Sequence, residues 1–112
     1  MKRIESYKHY LAKKLLAHWL SGEYTTKTEV IFYCGDRIWF IADVVCYDNC
    51  EPFAIYEITH RHGIEFTKLS RIQQWSYRNA IQLQVYEVSA EWILRQVKRP
   101  KTLKYIDFTT VI

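Results

Sequence analysis

The stretch Ile38–Trp39–Phe40–Ile41–Ala42–Asp43–Val44–Val45–Cys46 decides the fold. It is too rich in β-branched and aromatic residues to be a loop, and it reads as a strand over residues 37–47. Its one charge, Asp43, lies in the apolar run. A second run, Phe53–Ala54–Ile55–Tyr56–Glu57–Ile58–Thr59, holds a second carboxylate, Glu57. An ionised group taken out of water loses several kcal/mol of solvation unless something compensates it. Two such groups, in strands joined by a short turn, call for a shared explanation, and a divalent cation bound between them supplies one. By strand alternation Asp43 shares a face with Trp39, Ile41 and Val45, and Glu57 with Phe53, Ile55 and Thr59. If the strands pair, the two acids converge at one end of the sheet. Hard carboxylate oxygens suit Mg²⁺ or Mn²⁺. The plainer explanation is one carboxylate paired to Arg or Lys and another at a strand end facing water.

Around these strands the chain reads as alternating elements. Residues 3–21 form a helix that stops at Ser21–Gly22, residues 28–34 a strand, and Cys34–Gly35–Asp36–Arg37 a hairpin turn. Residues 48–52 are a turn and 53–59 a third strand. A helix over 64–79 points Ile64, Leu69, Ile72 and Trp75 inward, followed by a strand over 81–88 and a helix over 90–98 that ends before Pro100. The last ten residues read as an edge strand or a docked tail. The expectation is an α/β domain over residues 1–112, with element order α-β-β-β-α-β-α and a mixed sheet flanked by helices.

Helix one adds polar residues to the acids. At 100° per residue, with Glu5 as zero, Ile4, Ala12, Leu15, Leu16, Trp19 and Leu20 span an arc from about −100° to about +60°. Glu5 and His9 fall inside that arc and Lys13 borders it. An i, i+4, i+8 stripe on the face that packs on the sheet supplies an acidic site from above. Ordinary helix-surface pairing, worth a few tenths of a kcal/mol, is the simpler account. In the helix over 64–79, Lys68, Arg71, Trp75 and Arg78 form a basic stripe suited to phosphate contacts and stacking. A solvated basic face with Trp75 in the core is an equal alternative. The tail Lys98–Arg99–Pro100–Lys101 adds unspecific phosphate affinity.

Composition bounds the function classes. The chain has 112 residues, a net charge of +4 and a 49% apolar content that is enough for a core. The basic balance points weakly to a polyanionic partner. There is no apolar stretch for a membrane span and no signal-peptide core near Met1. Three cysteines argue against a disulfide framework and for a reducing, cytoplasmic setting. Cys46 and Cys50, four apart, could take part in a zinc site, but small buried apolar residues are the default.

The acids and the helix-one stripe together resemble the PD-(D/E)XK nuclease superfamily, most nearly its CoiA-like competence nucleases. Glu5–Ser6–Tyr7–Lys8–His9–Tyr10–Leu11–Ala12–Lys13 resembles the first-helix pattern Glu-Ser-x-x-His-x-x-x-Lys of that group. Ala42–Asp43–Val44 resembles the Pro-Asp-Val step with alanine for proline, and Ala54–Ile55–Tyr56–Glu57–Ile58–Thr59 the apolar-Glu-x-polar step. The resemblance covers roughly residues 4–88. It implies a restriction-endonuclease-like core and metal-dependent hydrolysis of phosphodiester bonds in DNA, with Asp43, Glu57 and Glu5 around Mg²⁺ or Mn²⁺. It also suggests a homodimer, or docking on a partner, to supply the second DNA arm. One position departs from the family pattern: the usual lysine falls at Thr59. Lys13, Lys68, or the imidazoles of His60 and His62 are the groups that could replace it. The alternative is a catalytically inactive nucleic-acid-binding or protein-interaction module on the same fold. A third reading is a small basic protein that inhibits or bridges another through its aromatic surface.

Overall fold

The computed structural model describes residues 6–60 and 63–96. Seven elements follow in order: α1 (Tyr7–Leu20), β1 (Thr25–Cys34), β2 (Arg37–Asp48), β3 (Glu51–Thr59), α2 (Phe66–Asn79), β4 (Gln84–Ser89) and α3 (Ala90–Arg95). The sheet runs β1-β2-β3-β4, antiparallel through the first three strands and parallel between β3 and β4, with α2 as the crossover. The chain is thus α/β, with a four-stranded mixed sheet flanked by helices.

Local chemistry sets the boundaries. Ser6 caps α1, its Oγ accepting the His9 N–H at 3.1 Å. Gly35–Asp36 closes the β1–β2 hairpin, with Gly35 at φ 66°. Asn49 and Cys50 both take positive φ, the two-residue turn that matches strand twist. This tight turn starts β3 at Glu51, two residues earlier than the sequence suggests, and brings Pro52 into the strand opposite Tyr47. β1 begins at Thr25, three residues before its expected start. β4 begins at Gln84, three residues later than expected, because α2 ends in a left-handed Ala80 and the chain needs a short connection back to the sheet. The expected ends of the first and last helices and the C-terminal tail lie partly or wholly outside the described residues.

Two apolar layers sandwich the sheet. Ala12 and Leu16 of α1 and Ile93 of α3 pack with Val44, Cys46 and Tyr56 on one face. Ile72 of α2 packs with Phe32, Phe40, Val45, Ile55 and Val85 on the other. These memberships expose a break in alternation. Phe40 and Ala42 belong to the α2 layer, yet Val44 and Cys46, of the same parity, belong to the α1 layer. β1 turns over in the same way. Thr26 donates to the Ala17 carbonyl and Thr28 accepts from Lys14, both toward α1, whereas Val30 and Phe32 pack toward α2. The register pairs Thr28 with Val44 and Val30 with Ala42, so Glu29 and Asp43 stand together at the crossover. Glu29 takes φ 52°, the backbone signature of that reversal.

β2 pairs with β3 only from Val44 to Asp48. Beyond Val44 the two strands part, and β2 continues toward the hairpin with β1 alone beside it. The sheet therefore has a fork, and its crotch is at Asp43.

Candidate active site

Both acids occupy the fork. Asp43 and Glu57 are each 4% exposed. The Asp43 N–H donates to Glu57 Oε2 at 2.9 Å, and the Ile58 N–H donates to Asp43 Oδ2 at 2.8 Å. The two carboxylates thus replace the ladder bonds that β2 and β3 cease to make with each other. Buried backbone donors must find an acceptor, and an ionised carboxylate is a strong one. Burial pushes the Glu57 carboxyl above the usual carboxylate range, and the neighbouring Asp43 charge adds to that. Lys68 and the Asp43 N–H pull in the opposite direction.

Three elements deliver the surrounding groups. From α1, His9 is buried and holds its Nε2 3.4 Å from Asp43 Oδ2. From α2, the Lys68 ammonium pairs directly with Glu57 Oε1. From the end of β3, exposed His60 brings its ring within 5.5 Å of the His9 ring, centre to centre. An open cleft of about 800 Å³ is lined by His9, Asp43, Glu57, Thr59, His60 and Lys68.

The helix-one phase read from the sequence holds for the described residues. His9 and Lys13 face the sheet, at 5% and 2% exposure, while Tyr7 and Lys14 are exposed. Glu5, expected as the third acid, and His62 lie outside the described residues. Lys13 pairs with Glu29 Oε1 at 2.8 Å. It does not line the cleft, whereas Lys68 does. Of the two lysines offered in place of the one missing at Thr59, Lys68 brings its ammonium to the acid pair at Glu57 Oε1. Thr59 is half-buried at the cleft wall and stands opposite Ser89 in the β3–β4 register. Among the described residues, no group of three or more His, Cys, Asp or Glu side chains is arranged to hold a metal ion. Asp43 and Glu57 form a pair, and the third acid expected from the sequence is Glu5.

The α2 stripe divides by environment. Arg71 stacks its guanidinium 4.7 Å from the Trp39 ring centre and donates to the Trp39 carbonyl at 3.0 Å. Arg78 donates to Cys34 Sγ. Trp75 turns from the stripe into the α2 layer, edge-on to Phe32 at 4.8 Å, while Phe40 stacks on the same ring. The aromatic that accompanies the arginines is instead Trp39, which the sequence reading placed on the Asp43 face. A register shift between Phe32 and Tyr33 leaves Trp39 unpaired, and alternation fails there. The cysteines are all free. Cys46 is buried, with its thiol pushed up to about 11 by burial, and Cys50 is exposed at the turn. No helix among the described residues is long and apolar enough to cross a membrane. Comparison with family models, with curated proteins and with solved structures returns no match.

Proposed function

We propose that this chain is a metal-dependent endonuclease with a PD-(D/E)XK-type core, hydrolysing phosphodiester bonds in DNA. The observation that carries the reading is the convergence of Asp43 and Glu57 in one cleft at the fork between β2 and β3, with Lys68 against Glu57. The donor set suits Mg²⁺ or Mn²⁺, since both acids are hard carboxylates. Burial, and after it the Asp43 charge, push the Glu57 carboxyl up, and a cation would offset both. Asp43 and Glu57 would hold the ion, with Glu5 as the expected third acid. When bound, such an ion lowers the pKa of a coordinated water and offsets charge on the scissile phosphate.

The chain's own groups supply the rest. Lys68 holds a positive charge beside Glu57 where the family's lysine would act from Thr59, and it stabilises charge building on the phosphate oxygens. His9 sits against Asp43 from the roof and keeps that carboxylate oriented. His60, exposed and lining the cleft, would donate a proton to the departing oxygen. The open cleft gives a phosphodiester access without movement of either acid.

The test is nicking of supercoiled plasmid with Mn²⁺ or Mg²⁺. Wild-type protein is expected to nick, Asp43→Ala to be inert, and EDTA to stop the reaction. Lys68→Ala is expected to lower the rate by about 10²–10³-fold with little change in DNA binding. An inert wild type in which Thr59→Lys creates cleavage would replace this reading with a binding module.

A further inference from the structure

The cleft does not end at the acids. A second recess of about 330 Å³ shares Glu65 and Lys68 with it and runs along β2 past Trp39 and Arg71. A third, of about 160 Å³, shares Trp39 with the second and reaches Tyr33, Cys34 and Arg78 at the hairpin. The shared residues make the three adjoining recesses along a groove between α2 and the part of β2 beyond the fork. Its polarity reverses along its length. Among the described residues, carboxylates dominate at the fork, Glu65 is the one acid lining the second recess, and no acid lines the third.

The wall chemistry is specific. Arg71 and Arg78 project from α2, seven residues or about 10 Å apart along the helix. Opposite them are flat surfaces, namely the Trp39 indole with the Arg71 guanidinium stacked on it and the 52% exposed Tyr33 phenol. Arg71 also donates to the Trp39 carbonyl at 3.0 Å, which restrains the guanidinium beside the indole. Planar groups recessed beside cations are of little use to a duplex, whose base faces are stacked on each other and which offers only edges and phosphates. They suit unstacked bases with a phosphate chain alongside.

We infer that this groove is a track for single-stranded nucleic acid leading to the fork, so that the substrate is an unpaired strand or a frayed or flapped end. The inference rests on the nuclease reading for the chemistry at the fork, though not for binding. The strand lays its phosphates along Arg71 and Arg78 and its bases toward Trp39 and Tyr33. About 10 Å corresponds to roughly three stacked nucleotides at 3.4 Å per step, and fewer if extended. Each arginine-to-phosphate contact on a single strand contributes about 0.7 to the slope of log affinity against log salt.

Fluorescence anisotropy in EDTA tests binding apart from cleavage. The probes are labelled oligothymidylate and oligouridylate of about 15 nucleotides, which separate DNA from RNA, and a duplex of the same length. Single strands are expected to bind at least about 10-fold more tightly than duplex. Trp39→Ala and Arg71→Ala should each weaken single-strand binding by about 5- to 50-fold, consistent with stacking energies. Arg71→Lys, which keeps charge and loses the plane, should recover only part of that. Arg78→Glu, an exposed change that leaves the core intact, should flatten the salt slope by about 0.7 or more. Arg95→Glu, the same charge change on α3 across the sheet, should have a smaller effect than Arg78→Glu. Duplex binding as tight as single strand, or equal effects of Arg78→Glu and Arg95→Glu, overturns the track. Absence of Mn²⁺-dependent cleavage of both the plasmid and the labelled single strand, with single-strand preference intact, defeats the nuclease reading alone. Efficient cleavage of intact duplex with no single-strand preference defeats the track alone.

Discussion

Burial and the Asp43 charge push the Glu57 carboxyl up, and Lys68 returns only part of that shift. The sign of its effect on folding follows. Above the unfolded-state value, near 4.3, the native state binds more protons than the unfolded chain does. The group's contribution to stability is therefore complete below that pH and is lost as pH rises through the elevated native-state value. Glu57→Gln keeps an oxygen to accept the Asp43 N–H and removes the ionisation. In metal-free buffer the variant is expected to melt higher than wild type at pH 7–8, with the gap closing toward pH 4. Thermal melts across that range check this. A variant that melts lower by the same margin at every pH would mean that the Lys68–Glu57 pair outweighs the burial of the charge. Lys68 keeps access to water at 22% side-chain exposure, which limits the cost of losing its partner.

At the scale of the element, α2 ends on Ala80 at φ 52°, and its N–H closes on the Ser76 and Tyr77 carbonyls. A Cβ in the left-handed region is strained, and glycine is the residue that most often closes a helix this way. Ala80→Gly is expected to raise stability by about 0.5–1 kcal/mol in urea denaturation. A loss of similar size would show that the unfolded-state entropy of glycine outweighs the relief of strain. Helix phases were readable in advance. His9 and Lys13 on α1, and Leu69, Ile72 and Trp75 on α2, point inward because a helix keeps one period along its length. The pairing of β2 with β3, and hence the meeting of Asp43 with Glu57, was readable from two apolar runs separated by a short turn. The strand faces were not. Alternation assigns Trp39 and Asp43 to one side, but the shift at Trp39 and the reversal at Glu29 and Asp43 interrupt the period of two. Nothing in the residue types of a bulge announces it when the residue at positive φ is a glutamate. The reciprocal use of the Asp43 and Glu57 side chains as acceptors for strand amides was equally hidden, since it depends on where a ladder stops.

Across the whole molecule, the α1–α3 layer and the α2 layer meet the sheet from opposite sides, and the fork lies where β1 and β2 pass from one to the other. A sheet that zipped β3 fully onto β2 would gain ladder bonds, need no buried acids and have no cleft. The chain forgoes that closure at one place, and two buried carboxylates hold the gap open. The fork is therefore where full closure of the sheet and an open cleft compete. Natural chains commonly sit just above a stability threshold rather than at an optimum, so stabilising replacements are common, and their recurrent cost falls at strained functional sites. If a library of this chain is selected only for heat resistance, with no other selection applied, replacements are expected to accumulate first at Asp43 and Glu57, as neutral polar residues that still accept the Asp43 and Ile58 N–H groups. Positions such as Ile72, Val45 and Leu16 should stay nearly fixed. Sequencing survivors would read out, position by position, how much robustness this fold has traded for an open seam.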